Sequence, residues 1–138
     1  MADLLQELTQ YIAAQAGLVI GQDLHAGFFP PEAADLAAVI LERGGPRSQP
    51  KLRGNVGSYA FQVLARGKTY GTAKQLAQQI DTVLADNAGT DNTGDWQVCV
   101  IEAVAAPQFL GYDGKTRPEF STNYTVRAYE KVAWNVPY

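Results

Sequence analysis

The amino-terminal third of the chain switches from a helical to an extended pattern of apolar residues. Leucine and other apolar residues at helical spacing predict a first helix, with Asp3 as its N-cap and Gly17 at its end. Two short apolar stretches between residues 18 and 29 predict a bent strand. The continuous apolar run 36–41 has the length of a buried strand. This part of the chain therefore predicts one helix and two strands.

The middle of the chain predicts a strand followed by a second helix. Larger apolar residues alternate with neighbours over 59–64, which is typical of a strand. Thr72 and Gln75 match the capping box that opens a helix, and an amphipathic stripe follows. The tripeptide at 67–69 resembles part of a phosphate-binding loop, but Gln62 stands where that loop needs its first glycine. Two more residues separate the tripeptide from the expected helix start, so a polar strand-to-helix turn is the better interpretation.

Two long strands are predicted near the carboxyl end of the chain, at 96–104 and 121–132. Residues 107–119 are predicted to join them as an elongated connection of hairpin type, with a tight turn at Asp113–Gly114. The sequence therefore predicts one α+β domain over residues 1–138. Its sheet is expected to be mostly antiparallel with four to five strands, and both helices are expected to pack on one face.

A long basic loop is predicted at residues 44–57. Glycine, proline and basic residues dominate it, so neither a helix nor an interior strand is expected. A loop of this length within a compact domain usually indicates function or disorder. It contains no aromatic residue for stacking on bases, which argues against nucleic-acid binding. A solvated loop and a contact to a neighbouring subunit or partner both remain open, and the candidate contact residues are Arg43, Arg47, Lys51 and Arg53.

The carboxyl-terminal segment 132–138 is apolar, aromatic and too short to form an element of its own, and it is expected to be an extended tail. Trp134 and Tyr138 could cover the edge of the domain's own core. An extended tail of this composition is also typical of a chain that passes a segment to its neighbour. Trp134 and Tyr138 are therefore further candidate contact residues.

Charge is strongly segregated along the sequence, although the 138 residues carry a net charge of only −3. Residues 1–42 contain six acidic and no basic residues, whereas residues 43–80 contain seven basic and no acidic residues. Residues 81–114 again contain six acidic and no basic residues, and the remainder has a charge of +2. Chance alternation gives one interpretation. The other is a molecule with separate basic and acidic regions that stacks head to tail or faces a charged partner.

The residue composition excludes much enzyme chemistry. One cysteine precludes an internal disulfide, and one cysteine with one histidine precludes the usual zinc sites. A catalytic pair of Cys99 and His25 is not excluded by spacing, but Cys99 lies mid-strand, where cysteine usually packs as a small apolar residue. The acidic loop 86–95 lacks the ligand spacing of a calcium loop. We therefore expect no catalytic residue, no metal and no cofactor, and neither a membrane span nor a signal peptide is predicted.

Six pieces of sequence, taken in order over about residues 3–130, resemble the bacteriophage tail-terminator and minor-capsid family of long-tailed phages. The acidic run Asp91–Asp95 has no counterpart in this pattern. The six pieces are Phe28-Phe29-Pro30-Pro31, Glu42-Arg43-Gly44-Gly45, Tyr59-Ala60-Phe61-Gln62-Val63, Arg66-Gly67-Lys68 with Tyr70, Pro107-Gln108-Phe109-Leu110-Gly111-Tyr112-Asp113, and Arg117-Pro118-Glu119-Phe120-Ser121-Thr122-Asn123-Tyr124.

The resemblance implies a structural virion protein without enzymatic activity. Members of the family form a ring, typically a hexamer, that caps the tail tube, ends its polymerisation and offers a surface for head attachment. The implied partners are further copies of the chain, the tail tube protein and a head-completion or connector protein, with genomic DNA passing through the lumen unbound. The implied location is the head-proximal end of the tail, and the host cytoplasm during assembly. A head-tail connector is the nearest alternative, and a small enzyme or nucleic-acid-binding module is more distant.

Overall fold

Two helices and six strands make up the described part of the chain, which covers residues 4–30, 33–44, 57–85 and 96–130 of this computed structural model. The α+β class is confirmed, although the sheet has six strands instead of four to five because β5 is an additional short strand. β1 lies within the bent strand predicted between residues 18 and 29, and it is shorter than that prediction. In chain order the elements are α1 (Leu4–Ala16), β1 (Leu24–Ala26), β2 (Ala37–Gly44), β3 (Gly57–Arg66), α2 (Tyr70–Ala85), β4 (Trp96–Ala103), β5 (Gln108–Tyr112) and β6 (Pro118–Glu130).

The six strands form one sheet with the order β1-β2-β3-β6-β4, and β5 also pairs with β6. β1 runs parallel to β2, and every other pair is antiparallel, which confirms the mostly antiparallel prediction. β5 pairs with Pro118–Ser121, whereas β4 pairs with the later part of β6, from Tyr124 to Glu130. β3 occupies the opposite side of β6, so β4 and β5 together form one interrupted strand.

The predicted connection at 107–119 is wrong in its length. β5 occupies most of its first half, and β6 begins at Pro118, so that only a short turn joins the two strands. The turn predicted at Asp113–Gly114 is confirmed, because the Thr116 N–H donates to the Asp113 carbonyl over 3.0 Å. Sequence alternation did not indicate β5, because all of its apolar side chains are at least partly exposed.

α1 ends at the predicted glycine. Gly17 has a φ of 72°, a left-handed conformation that glycine adopts without steric cost. The next N–H group, of Leu18, donates to the carbonyl of Ala13 over 3.1 Å, which is the hydrogen bond of a Schellman motif. The predicted N-cap, Asp3, lies outside the described residues.

α2 begins earlier than predicted, at Tyr70, and its cap is Thr69, three residues before the predicted Thr72. The Oγ1 atom of Thr69 accepts the Thr72 N–H over 3.2 Å, and Thr72 Oγ1 accepts the Thr69 N–H over the same distance. This reciprocal pair is the capping box, and it replaces the predicted pair of Thr72 and Gln75. Thr69 therefore does open the helix, contrary to one of the two arguments against a phosphate-binding loop.

The other argument against that loop is confirmed. Gln62 lies within β3, and its side-chain amide donates to Ser121 Oγ over 2.6 Å, so it cannot wrap a phosphate. Gly67 serves the helix cap instead, because a Cβ atom there would lie 2.6 Å from Thr72 Oγ1 and 2.9 Å from the Ala73 nitrogen. The Gly67–Thr69 tripeptide is therefore a tight strand-to-helix junction.

Both helices share one apolar core with the same face of the sheet, as predicted. The alternation predicted along β6 is confirmed, with one set of side chains buried against the helices and the intervening set more exposed. The helical contributions to the core are Leu4, Leu8, Ile12, Ala73, Leu76, Ala77, Ile80 and Leu84, and the principal strand contributions are Ile40, Phe61, Val63, Val98, Ile101, Phe120, Tyr124 and Val126.

Tyr124 of β6 places a fully buried phenol beneath α2. Its hydroxyl donates to Asp81 Oδ1 over 2.7 Å, while its ring is 2% exposed. Burial first, and then the Asp81 carboxylate, raise the pKa of the Tyr124 hydroxyl, so it remains a neutral donor. The hydrogen bond therefore links β6 directly to α2.

Replacing Tyr124 by phenylalanine is expected to lower the free energy of unfolding by about 2 kcal/mol, because a hydrogen bond to a charged group is lost in a buried position. Urea denaturation followed by circular dichroism measures the difference. Tyr112→Phe is the matched control, since Tyr112 is 64% exposed and its hydroxyl removal should leave the midpoint unchanged. Equal midpoints for wild type and Tyr124→Phe would contradict the assignment.

Candidate assembly surfaces

The structure describes one of the six candidate contact residues. Arg43 lies near the end of β2 with its side chain exposed. Arg47, Lys51 and Arg53 lie outside the described residues, as do Trp134 and Tyr138. The roles assigned to these five residues therefore stay predictions, and so do the boundaries of the long loop and the carboxyl-terminal tail.

The segments that carry these residues all join the same end of the sheet, which we call the loop end. β2 leaves it at Gly44, which pairs with Ala60, and β3 re-enters it at Gly57. β4 begins there at Trp96, directly opposite Glu130 at the close of β6. Three segments therefore attach to the sheet at its loop end: the connection 45–56, the connection 86–95 and the chain after β6.

Opposite charges are attached to this loop end. Residues 45–56 contain three basic and no acidic residues, whereas residues 86–95 contain three aspartates and no basic residue. Glu42 and Arg43 add an exposed pair of opposite sign beside them. Segments of opposite charge are thus attached to one end of the sheet, and a surface of both signs can attract a charged partner with a defined orientation.

The opposite end of the sheet, which we call the turn end, is organised around the side chain of Arg66. Arg66 is 5% exposed, and its guanidinium donates to the Ala34 carbonyl over 2.7 Å and to the Asp35 carbonyl over 3.3 Å. The same group lies 4.2 Å from the centre of the Phe29 ring and 3.9 Å from Asp113 Oδ2. Burial lowers the pKa of Arg66. Arg66 therefore ties the segment before β2 to the β5–β6 turn.

Asp113 organises the β5–β6 turn. Its Oδ1 atom accepts the N–H groups of Lys115 and Arg117, at 2.9 and 2.8 Å, and Oδ2 accepts Nε of Arg117 at 2.8 Å. Burial alone would raise the pKa of Asp113, but these backbone and guanidinium donors hold it below its usual value. Arg117 also donates to Asp35 Oδ1 over 3.0 Å. The turn is thereby held rigidly beside β2, with Thr116 at a φ of 58°.

An aromatic cluster lies beside this turn, and we call it the aromatic patch. Phe109 and Tyr112 of β5 meet Tyr70 at the start of α2, with Phe109 5.3 Å from Tyr70 and 5.4 Å from Tyr112 between ring centres. The buried ring of Phe120 lies beneath them, 5.0 Å from Tyr70. Exposed fractions of 49% for Tyr70, 43% for Phe109 and 64% for Tyr112 leave much of the cluster in solvent, together with Leu110.

The structure separates the two residues of the candidate catalytic pair. His25 lies on β1 and Cys99 on β4, at opposite edges of the sheet, and four strand spacings, about 19 Å, separate the two strands. The register places the two residues at different heights along the strands as well, with His25 level with Ser121 of β6 and Cys99 level with Arg127 and Ala128. His25 Nε2 lies 3.1 Å from the Gln22 carbonyl. The Cys99–His25 pair left open by the sequence is therefore excluded. Among the described residues, no three His, Cys, Asp or Glu side chains form a metal-binding group, and no helix is long and apolar enough to cross a bilayer.

A family model described as bacteriophage tail terminator protein matches residues 11–130, which is most of the chain. The chain belongs to the bacteriophage tail terminator protein family. The resemblance given by the six sequence pieces is thereby confirmed. Membership of this family makes the chain a phage structural protein, and no curated protein matches its sequence.

A solved structure shares the fold of this tail terminator family member. The matching chain comes from a structure described as the virion of a native gene transfer agent particle. The two chains are 14% identical with a TM-score of 0.64, and the match covers 91% of this chain and 93% of the other. At that identity, the comparison establishes a common fold.

Two features of this tail terminator family member escaped the sequence interpretation. Arg66 was one basic residue among seven in its block, and its carbonyl partners lie about thirty residues earlier in the sequence. Two aromatic residues of the aromatic patch, Phe109 and Tyr112, lie in the segment 107–119, for which the sequence predicted a connection and no strand. One signal was available for the patch: Phe109, Leu110 and Tyr112 concentrate apolar area in five residues bounded by a proline and a turn.

Proposed function

We propose that this chain assembles into a closed ring, of six subunits in the simplest case, that caps the tail tube and ends its polymerisation. The opposite side of the ring offers a surface to a head-completion or connector protein. Genomic DNA passes through the lumen without specific contacts. The protein then acts by binding alone, and its place is the head-proximal end of the tail after assembly in the host cytoplasm.

The difference between the two ends of the sheet is the observation that carries this proposal. The loop end bears charged connections of both signs, whereas the turn end bears the rigid Arg66 network and the aromatic patch. A ring needs a heterologous contact, in which one surface of a subunit meets a different surface of the next. Family membership and the shared fold with a chain from a virion particle support the same function.

The basic loop is assigned to the contact with the tail tube or with the adjacent subunit. It leaves β2 beside the exposed Arg43 and contributes three basic residues without an acidic one. A negatively charged facing surface would steer binding and fix its register. The carboxyl-terminal tail, with Trp134 and Tyr138, is assigned to the subunit contact.

Reversing the charges of Arg47, Lys51 and Arg53 to glutamate tests the assignment of the loop. We expect tails assembled with this triple variant to be uncapped and to continue growing, because repulsion replaces attraction at the contact. Electron microscopy of tail lengths measures the effect, and circular dichroism confirms that the variant monomer is folded.

A second triple variant provides the matched control. Lys68, Lys115 and Arg127 are exposed and lie outside the loop, so reversing them to glutamate makes the same change in net charge. Tails of normal length are expected with this control. Normal capping of tails by the loop variant would show the assignment of the loop to be wrong. A separate experiment tests the connector function: co-purification of the wild-type protein with heads, instead of with headless tails, would favour it.

A further inference from the structure

The aromatic patch exposes apolar surface that does not contribute to the domain's own core. None of the five residues of β5 is buried, yet three of them are large and apolar. β5 pairs with β6 along one side, and among the described strands none pairs with its other side. Contiguous exposed apolar area beside an unpaired strand edge marks a place where another segment binds.

The sequence contains a segment whose composition suits this surface. Residues 132–138 read Val-Ala-Trp-Asn-Val-Pro-Tyr, with aliphatic and aromatic side chains and no charged residue. An apolar stretch of this kind can add a strand to an exposed edge while its aromatic side chains pack against apolar groups beside that edge. Trp134 is the largest side chain of the segment available to cover the exposed rings of the aromatic patch.

Distance prevents a subunit from placing its own Trp134 in its own aromatic patch. The chain leaves β6 after Glu130, at the loop end, whereas Phe109 pairs with Phe120 near the turn end. Ten residues of strand separate Phe120 from Glu130, which is about 33 Å. Trp134 follows Glu130 by four residues, and even a fully extended chain of that length spans only about 14 Å.

We propose that residues 131–138 of one subunit bind along β5 of the neighbouring subunit, with Trp134 packed against Tyr70, Phe109 and Tyr112 of that neighbour. This inference rests on the proposed ring, and it names the surfaces that join its subunits. The donor lies at the loop end and the acceptor at the turn end, so the contact is head to tail. Contacts of that kind generate a ring when the rotation between successive copies closes.

Cross-linking in trans tests this contact directly. One chain carries Asn135→Cys and a second, differently tagged chain carries Gln108→Cys, and both carry Cys99→Ser to remove the exposed native thiol. The two chains are mixed, assembled with tail tubes and treated with a short bismaleimide. We expect a covalent heterodimer, whereas the control pair Asn135→Cys and Gln78→Cys, with its second thiol on an exposed position of α2, should give little.

The cross-link and the capping of the tubes give separate results. Capped tubes without a cross-link above the control would overturn the tail contact and leave the proposed function standing. A cross-link within one chain carrying both cysteines, formed at high dilution, would also overturn it. Failure to cap tubes together with no cross-link would contradict both proposals, and a cross-link between soluble chains without capping would contradict only the proposed function.

Removing the anchoring side chain gives a quantitative test. Trp134→Ala is expected to weaken association between subunits by about 30-fold or more, as for a buried aromatic residue at the centre of an interface. Asn135→Ala is the matched control and should change association by less than about threefold. Analytical ultracentrifugation measures both, and circular dichroism confirms the folding of the variants. An unchanged association constant for Trp134→Ala would overturn the proposal.

Discussion

Arg66→Ala is expected to lower the free energy of unfolding by about 3 kcal/mol. The substitution removes donors from two backbone carbonyls, those of Ala34 and Asp35, and withdraws a cation from the ring of Phe29. It also leaves Asp113 with one guanidinium instead of two. Because Arg66 is buried, water does not readily replace these interactions.

Chemical denaturation provides the measurement, with Lys68→Ala as the matched control. Lys68 also approaches Asp35, at 3.8 Å, but its side chain is 79% exposed. An exposed ion pair contributes little, so the control should change the free energy of unfolding by less than about 0.5 kcal/mol. If the two variants had similar stability, Arg66 would not be the residue that ties the segment before β2 to the β5–β6 turn.

Gly67→Ala is expected to destabilise the fold by about 2 kcal/mol, although it adds a single methyl group. The added Cβ would approach the backbone nitrogen of Ala73 to 2.9 Å, and backbone cannot move aside as a flexible side chain can. It would also meet Thr72 Oγ1, half of the capping box of α2. Both effects act on the junction that seats α2 on the sheet.

Gly71→Ala is the control, four residues later in the same junction. Apart from its chain neighbours and the backbone of its own helix, no atom of the described residues lies within 4 Å of a Cβ built there. The position belongs to the first turn of α2. Alanine lowers the entropy of the unfolded chain and favours helix, so this variant should be unchanged or more stable by up to about 1 kcal/mol. Relative to wild type, the melting temperatures of the two variants should shift in opposite directions or by clearly different amounts. A Gly67→Ala variant as stable as wild type would show that the junction has room to relax.

Periodicity predicted the elements that bury one regular face. The helical spacing in α1 and the alternation of Tyr124, Val126 and Ala128 in β6 both arise from contact with one core, and both were predicted correctly. The same reasoning failed at β5, because a strand with no buried side chain has no pattern to detect. It also placed the start of α2 at the wrong threonine, since Thr69 and Thr72 cap each other and either could have been the N-cap.

The candidate site could be predicted only in outline. Family membership follows from short motifs in order, but the ion network of Arg66, Asp35 and Asp113 joins residues that are far apart in sequence. Such contacts depend on the sheet order, which no local pattern specifies. The attachment of the basic loop, the acidic loop and the carboxyl-terminal segment to the same end of the sheet has the same origin. The contact roles of Arg47, Lys51, Arg53, Trp134 and Tyr138 stay predictions.

The unbroken length of β6 has a consequence for how this protein can evolve. One strand of 13 residues joins the two ends of the sheet that we assign to successive subunits, so it sets the spacing at which copies repeat. A single inserted residue would turn every following side chain to the other face and expel Val126 and Ala128 from the core. Without a β-bulge to absorb the insertion, the spacing between the two surfaces can therefore change only in steps of two residues, or about 7 Å.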